Sequence, residues 1–231
     1  VVVAVAVNLL PETVSGDSEG GIWLVQWFER FVVPTQKLVE QAGSWGSAIE
    51  FNQSLVGTTQ RLFNTLPFGP GGSLVQRTVL DPVAVKVLVY GAFVALGAVS
   101  IAASWRASRR GGSGPGLPGR EAWEYSIVVI LMLLLSPMSG RAHFGLLFLP
   151  SFCLARTAVA TRDRLLWAIL VVSVALTLVA NKDLVGSTLY DLFLWSGATT
   201  LVALLLWAGC VYALWQGNPA GRAGRGGTHG A

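Results

Sequence analysis

Long apolar runs separated by short polar breaks fill most of the chain after residue 82. Residues 83–105, VAVKVLVYGAFVALGAVSIAASW, hold a single charge, Lys86, near one end. About 20 apolar residues are needed for a helix to cross a hydrocarbon core of roughly 30 Å, so this run predicts a membrane span. Runs at 122–138, 143–160, 165–180 and 191–215 predict four more, the second of them interrupted by Pro150. The opening run VVVAVAVNLL reads as the end of a further, truncated span. The predicted fold is therefore an all-α integral membrane protein, a multispanning helical bundle over residues 1–216. The Gly-rich stretch 217–231, GNPAGRAGRGGTHGA, predicts a disordered tail.

Composition agrees with that class. Only 12% of residues are charged, where a soluble domain carries roughly 25%. The net charge of +4 points to topology, with no nucleic-acid partner expected. Arg106, Arg109, Arg110 and Arg120 fall on one side of the predicted bundle, with Arg156, Arg162, Arg164, Arg222 and Arg225. The positive-inside rule makes that side cytoplasmic, tail included. Residues 11–82, the turn SPMSGRAH and the loop 181–191 then face outward. Arg, Gly and Ala enrichment gives the chain a bacterial look, and the expected location is a bacterial plasma membrane, multi-pass. Within 11–82, Trp23, Trp27, Phe28 and Phe31 recur at helical spacing, which predicts an amphipathic helix in the membrane interface. Cys153 and Cys210 lie inside apolar runs with no CxxC partner and read as buried, inert thiols.

Against this background the stretch FNQSLVGTTQR, residues 51–61, is unusually polar. Asn52 is a good N-cap, and Leu55, Leu62 and Leu66 form one apolar stripe, so a helix starting near Asn52 is expected. Ser54, Gly57 and Arg61 share another face. Two small residues before an Arg, at a helix N-terminus with free N–H groups, suit an anion or a sugar hydroxyl. The bland reading is a routine cap with Arg61 on a solvated face. Asn52-Gln53-Ser54 also has the form of an N-glycosylation acceptor, a reading the bacterial composition disfavours. A second polar break, SPMSGRAHF, places Ser136, Ser139, Arg141 and His143 between two apolar runs. The run before it spans only about 24 Å, so the break is expected slightly below the outer surface, lining a cavity or making a simple turn.

The two breaks together resemble glycosyltransferase family 87. NQSLVGTTQR is similar to the family signature N-Q-S-L-x-G-x-x-x-R, matched at Asn52, Gln53, Ser54, Leu55, Gly57 and Arg61. LLLSPMSGRAHF is similar to its second signature, S-P-x-S-W-x-H-H, matched at Ser136, Pro137, Ser139 and His143. Gly140 stands in place of the usual Trp and Ala142 in place of the first His. The resemblance implies a truncated GT-C-like bundle. It implies an inverting hexosyltransferase, a mannosyltransferase in the actinobacterial members. Its donor is a polyprenyl-phosphate-linked sugar and its acceptor a lipid or glycan, among membrane lipids. It gives the phosphate and sugar of the donor to Asn52, Gln53, Ser54, Gly57, Arg61, Ser136, Ser139, Arg141 and His143. His143 is also a candidate catalytic group. The class keeps its catalytic Asp in a first outward loop, which is expected before Val1, so this piece alone would be inactive. No cofactor is firmly implied; some enzymes of the class use a divalent ion.

Two other readings stay open from the residues alone. A secondary transporter would put polar residues at the midplane of its spans, where 83–105 and 165–180 offer almost none. A non-catalytic membrane scaffold would have no need of the Ser54–Gly57–Arg61 face.

Overall fold

The computed structural model describes residues 48–66, 75–76, 79–109 and 118–216. The aromatic segment at 23–31, the opening run and the tail lie outside the described residues. Among the described residues seven α-helices follow one another: α1 (Leu55–Asn64), α2 (Pro82–Ser108), α3 (Arg120–Leu135), α4 (Phe148–Thr161), α5 (Arg164–Val179), α6 (Lys182–Ser196) and α7 (Ala198–Gln216). A 3₁₀ segment, Arg141–Leu147, leads directly into α4. Two short strands, β1 (Thr65–Leu66) and β2 (Val75–Gln76), pair antiparallel between α1 and α2.

Each helix starts and stops for a local reason. Asp81 accepts the Val83 N–H, and Pro82 occupies the first helical position, where no N–H is needed. Asp163 accepts from the N–H groups of Leu165 and Leu166 and so starts α5. The Tyr212 hydroxyl donates to the other oxygen of Asp163 at 3.1 Å, tying the end of α7 to the α4–α5 turn. Gly197, in the left-handed region at φ 74°, ends α6 and turns the chain into α7.

The last helix is the centre of the bundle. α7 packs against α2, α3, α4 and α5, burying Val202, Ala203, Leu206, Gly209, Cys210 and Leu214. Small residues allow the close approach: a Cβ at Gly209 would lie 3.1 Å from both methyls of Leu154. The Trp207 indole N–H donates to Ser100 Oγ at 3.0 Å, linking α7 to α2. Cys153 and Cys210 are both buried and free. On the other side of α2, Val83, Val87, Val94, Ile101 and Trp105 are exposed. A helix apolar all round, with one side left open, belongs in lipid.

Among the described residues three helical stretches are long and apolar enough to cross a membrane: Val83–Ser108, Arg141–Thr161 and Ala198–Gln216. α5 and α6 pass the same test only together, across a bend of 91°. The chain is an all-α membrane protein.

The structure departs from the sequence expectation in three places. The run 191–215 is not one helix, because Gly197 breaks it. The loop expected at 181–191 is helical, with a kink at Gly186 (φ 78°). The helix expected over 122–138 stops at Leu135, at 16 residues about 24 Å long. α1, the 3₁₀ segment, the end of α5 and the start of α7 gather at one end of the bundle, here termed the motif end.

Candidate functional site

The polar stretch does form a helix, but it starts three residues later and faces the other way. Ser54 is the N-cap, its side chain accepting the Gly57 N–H at 3.2 Å. Asn52 stands before it and accepts the Ser54 N–H at 3.1 Å. The buried face is Val56, Gly57, Thr58, Thr59 and Arg61. Of the leucine stripe, Leu62 and Leu66 are 45% and 41% exposed, while Leu55 is half-buried.

Arg61 has no exposed surface at all. Its Nε–H donates to the Trp195 carbonyl at 3.1 Å, and its Nη1 group to the carbonyls of Ile49, at 2.7 Å, and Asn52. Nη2 donates to Thr58 Oγ1 at 3.2 Å. Four of the five N–H donors of a guanidinium are thus spent within the protein. Trp195 lies in the last turn of α6, where carbonyls lack a helical partner and the helix dipole is negative. Arg61 caps that helix from outside. Burial lowers its pKa from the ordinary guanidinium value to about 10, with the charge of Glu50 acting the other way. It remains a cation at neutral pH.

The expectation of an outward Arg61 with open room before it is therefore overturned. Asn52 fills the room: a Cβ at Gly57 would overlap its side chain. The N–H groups expected to be free for an anion are taken. Asn52 N–H goes to the Ile49 carbonyl at 3.0 Å, Gln53 N–H to the Ser139 carbonyl at 2.8 Å and Ser54 N–H to Asn52 Oδ1 at 3.1 Å. Asn52 is fully buried and its amide donates to the Pro137 carbonyl at 3.2 Å, so it is no glycosylation acceptor.

The two polar breaks meet. Asn52 Oδ1 accepts the Ser139 N–H at 3.3 Å as well, and Ser139 Oγ donates to the Leu133 carbonyl at 2.7 Å, closing the end of α3. Gln53 Nε2 donates to the carbonyls of Glu50 (2.7 Å) and Leu194 (2.9 Å). Thr200 Oγ1 donates to the Gln53 carbonyl at 2.7 Å and lies 2.8 Å from Thr58 Oγ1. Gly197 presses against Thr58, leaving no space for a Cβ. Residues 52–61 thus fasten the end of α3, the end of α6 and the start of α7 together. Gln53 Oε1 is the one atom of this cluster that is buried with no partner.

Ser136, Arg141 and His143 stand outside that buried cluster. Ser136 Oγ bonds its own turn, donating to the Met138 carbonyl at 2.9 Å. His143 Nδ1 accepts the Gly140 N–H at 3.1 Å, which leaves the Nε2 side of an exposed ring available. Arg141 donates to Tyr190 Oη at 2.6 Å and to the Ala180 carbonyl at 2.9 Å. The structure brings Ser139 to Asn52 and Gln53; the His143 side chain bonds Gly140 and shares nothing with Arg61.

Sequence reasoning missed Glu50, Asp191, Trp195, Thr58 and Thr200. Burial and, second, the charge of Asp191 raise the Glu50 carboxyl above its ordinary value, with Arg61 opposing. The only signal was positional: Thr199 and Thr200 interrupt an apolar run just as 51–61 does. Among the described residues no group of three or more His, Cys, Asp or Glu side chains gathers to hold a metal ion.

The fold and this cluster define an all-α membrane protein with a polar, hydrogen-bonded plug at one end of its bundle. Compared with known proteins, the chain matches no family model, no curated protein and no solved structure.

Proposed function

We propose that this chain works in a membrane glycosyltransferase of the family 87 kind, with the motif end facing outward from a bacterial plasma membrane. The donor is a polyprenyl-phosphate hexose, mannose by resemblance, and the acceptor is a lipid or glycan. The observation that carries the reading is the junction between the two motifs. Segments 85 to 87 residues apart in sequence share the bonds Gln53 N–H to Ser139, Ser139 N–H to Asn52 and Asn52 amide to Pro137. A shared buried frame gives a reason for both motifs to occur in one chain. It presents His143 and Arg141 on the 3₁₀ segment at its rim.

In this reading the acceptor oxygen forms a bond to the anomeric carbon as the bond from that carbon to the phosphate oxygen breaks, with inversion. The proton of the acceptor goes to a carboxylate, which the resemblance assigns to a first outward loop. The phosphate leaves with the negative charge. A donor at His143 Nε2 stabilises it better than water does, because the donor is already in place. Arg61 acts one step back, holding the frame and touching no substrate.

A second reading has its own observation. The 91° break between α5 and α6 is the kind of interruption that forms substrate sites in secondary transporters. Purified protein in liposomes separates the two. Transfer of labelled hexose from a polyprenyl-phosphate donor to membrane acceptors supports the enzyme. Solute uptake without transfer replaces it with the transporter. Neither activity in the intact protein leaves a scaffold.

A further inference from the structure

A chamber of about 400 Å³ lies between the 3₁₀ segment, α4, α5 and α7, walled chiefly by Phe144, Phe148, Leu170, Val174 and Leu206, with Arg141 at its rim. We infer that it holds one acyl chain of an anionic glycerophospholipid, with the lipid phosphate on Arg141.

Depth, volume and charge support this occupant. Arg141 is the first residue of the spanning stretch Arg141–Thr161, which places its guanidinium where hydrocarbon gives way to headgroups. From Ala180, beside Arg141, the α5 wall descends to Leu170. Ten residues of helix make about 15 Å, half of a hydrocarbon core of roughly 30 Å. That is the depth of one leaflet and the reach of one acyl chain. At ~30 Å³ for a water-sized group, the volume holds roughly a dozen methylenes. It takes most of an acyl chain but only a small part of a polyprenyl chain. Arg141 bonds two neutral partners, Tyr190 and Ala180, and no carboxylate lies within salt-bridge distance of it among the described residues. Three of its N–H groups are left for an anion.

This inference stands apart from the transfer reading and is tested without measuring transfer. The probe is lipid retained by the purified protein after detergent exchange, counted by native mass spectrometry. Phosphatidylglycerol should be retained at least tenfold better than phosphatidylcholine. Arg141→Gln should erase that preference, and Arg141→Lys should keep part of it. Val174→Trp, which fills the chamber while leaving Arg141 in place, should lower retention of both lipids. Thermal midpoints identify any variant that fails to fold, and the lipid arms on wild-type protein decide the matter alone. Equal retention of the two phospholipids overturns the inference. So does displacement of phosphatidylglycerol by equimolar polyprenyl phosphate, which gives the chamber to the donor. Competition by millimolar inorganic phosphate overturns it too, leaving an anion site without a chain.

Discussion

Replacing Arg61 with Ala tests the central correction made by the structure. The substitution removes donors from the buried carbonyls of Trp195, Ile49 and Asn52 and from Thr58 Oγ1. A buried polar group left without its partner costs about 1–3 kcal/mol, so three carbonyls cost roughly 3–9 kcal/mol. An opposing gain comes from no longer burying a cation. Burial holds the guanidinium pKa down at about 10, so removing the buried cation returns on the order of 3 kcal/mol. Water entering the vacated space re-satisfies part of the carbonyl set. The net expectation is a loss of about 3 kcal/mol, roughly a hundredfold in the ratio of folded to unfolded protein. For a chain of this size that lowers the melting midpoint by about 10 °C.

The assay is thermal unfolding in detergent, followed by size exclusion. Arg61→Met serves as the second variant, since it fills the space and restores no donor. It should remain clearly destabilised, which separates lost hydrogen bonds from lost volume. Arg61→Lys should recover little, because an ammonium cannot reach carbonyls on both sides of the plane that the guanidinium fork spans. A midpoint within about 2 °C of wild type for Arg61→Ala refutes the capping account. Sugar transfer lost at an unchanged midpoint would return Arg61 to direct contact with the donor.

Gly197→Ala should be as damaging as Arg61→Ala by the same unfolding assay. It puts a side chain at φ 74° and drives its Cβ into Thr58, and the backbone term alone is roughly 1 kcal/mol. Gly57→Ala should also destabilise, since its Cβ collides with the Asn52 amide that joins the two motifs; a midpoint equal to wild type would show that Asn52 has another place to go. The Glu50 carboxyl has its pKa raised in the folded protein. Its contribution is therefore fully present below the unfolded value near 4.5 and is lost as pH rises through the folded value. Glu50→Gln should flatten that fall in stability, and an unchanged pH profile would remove Glu50 from the account. His143→Ala should leave the midpoint within about 2 °C and cut sugar transfer by roughly a hundredfold; normal transfer would take His143 out of the reaction.

The bundle was legible from the chain because apolar length is a direct requirement of a membrane. Residues 83–105 needed no tertiary information to read as a helix. The breaks were less legible. Gly197 ends α6 through a left-handed turn, and Thr58, on a distant segment, leaves no room there for a side chain. Nothing within 191–215 records that contact. Residues 181–191 are polar enough to read as a loop, yet Asn181 caps them into a helix, and Arg141 holds Tyr190 from the other side.

The site was half legible for a more instructive reason. Ser54, Gly57 and Arg61 do share a helix face, as their spacing requires, but which face turns inward was inverted. For a helix in water the leucine stripe marks the core, and Leu55, Leu62 and Leu66 would be buried. α1 instead lies on the end of a bundle whose helices finish there with unpaired carbonyls and hydroxyls. Trp195 and Leu194 end α6, Leu133 ends α3, and Thr200 opens α7. Those groups need donors more than they need hydrocarbon, since an unpaired buried carbonyl costs about as much as burying one more leucine gains. Gln53, Thr58, Arg61 and Ser139 supply the donors; Leu55 stays half-buried against the core while Leu62 and Leu66 go outward, where a membrane protein pays little for exposing them. The same polarity that suggested a ligand therefore has its partners within the chain. A polar stripe beside several helix ends is read first as their cap, and the ligand is sought among the donors left over, here at Arg141 and His143.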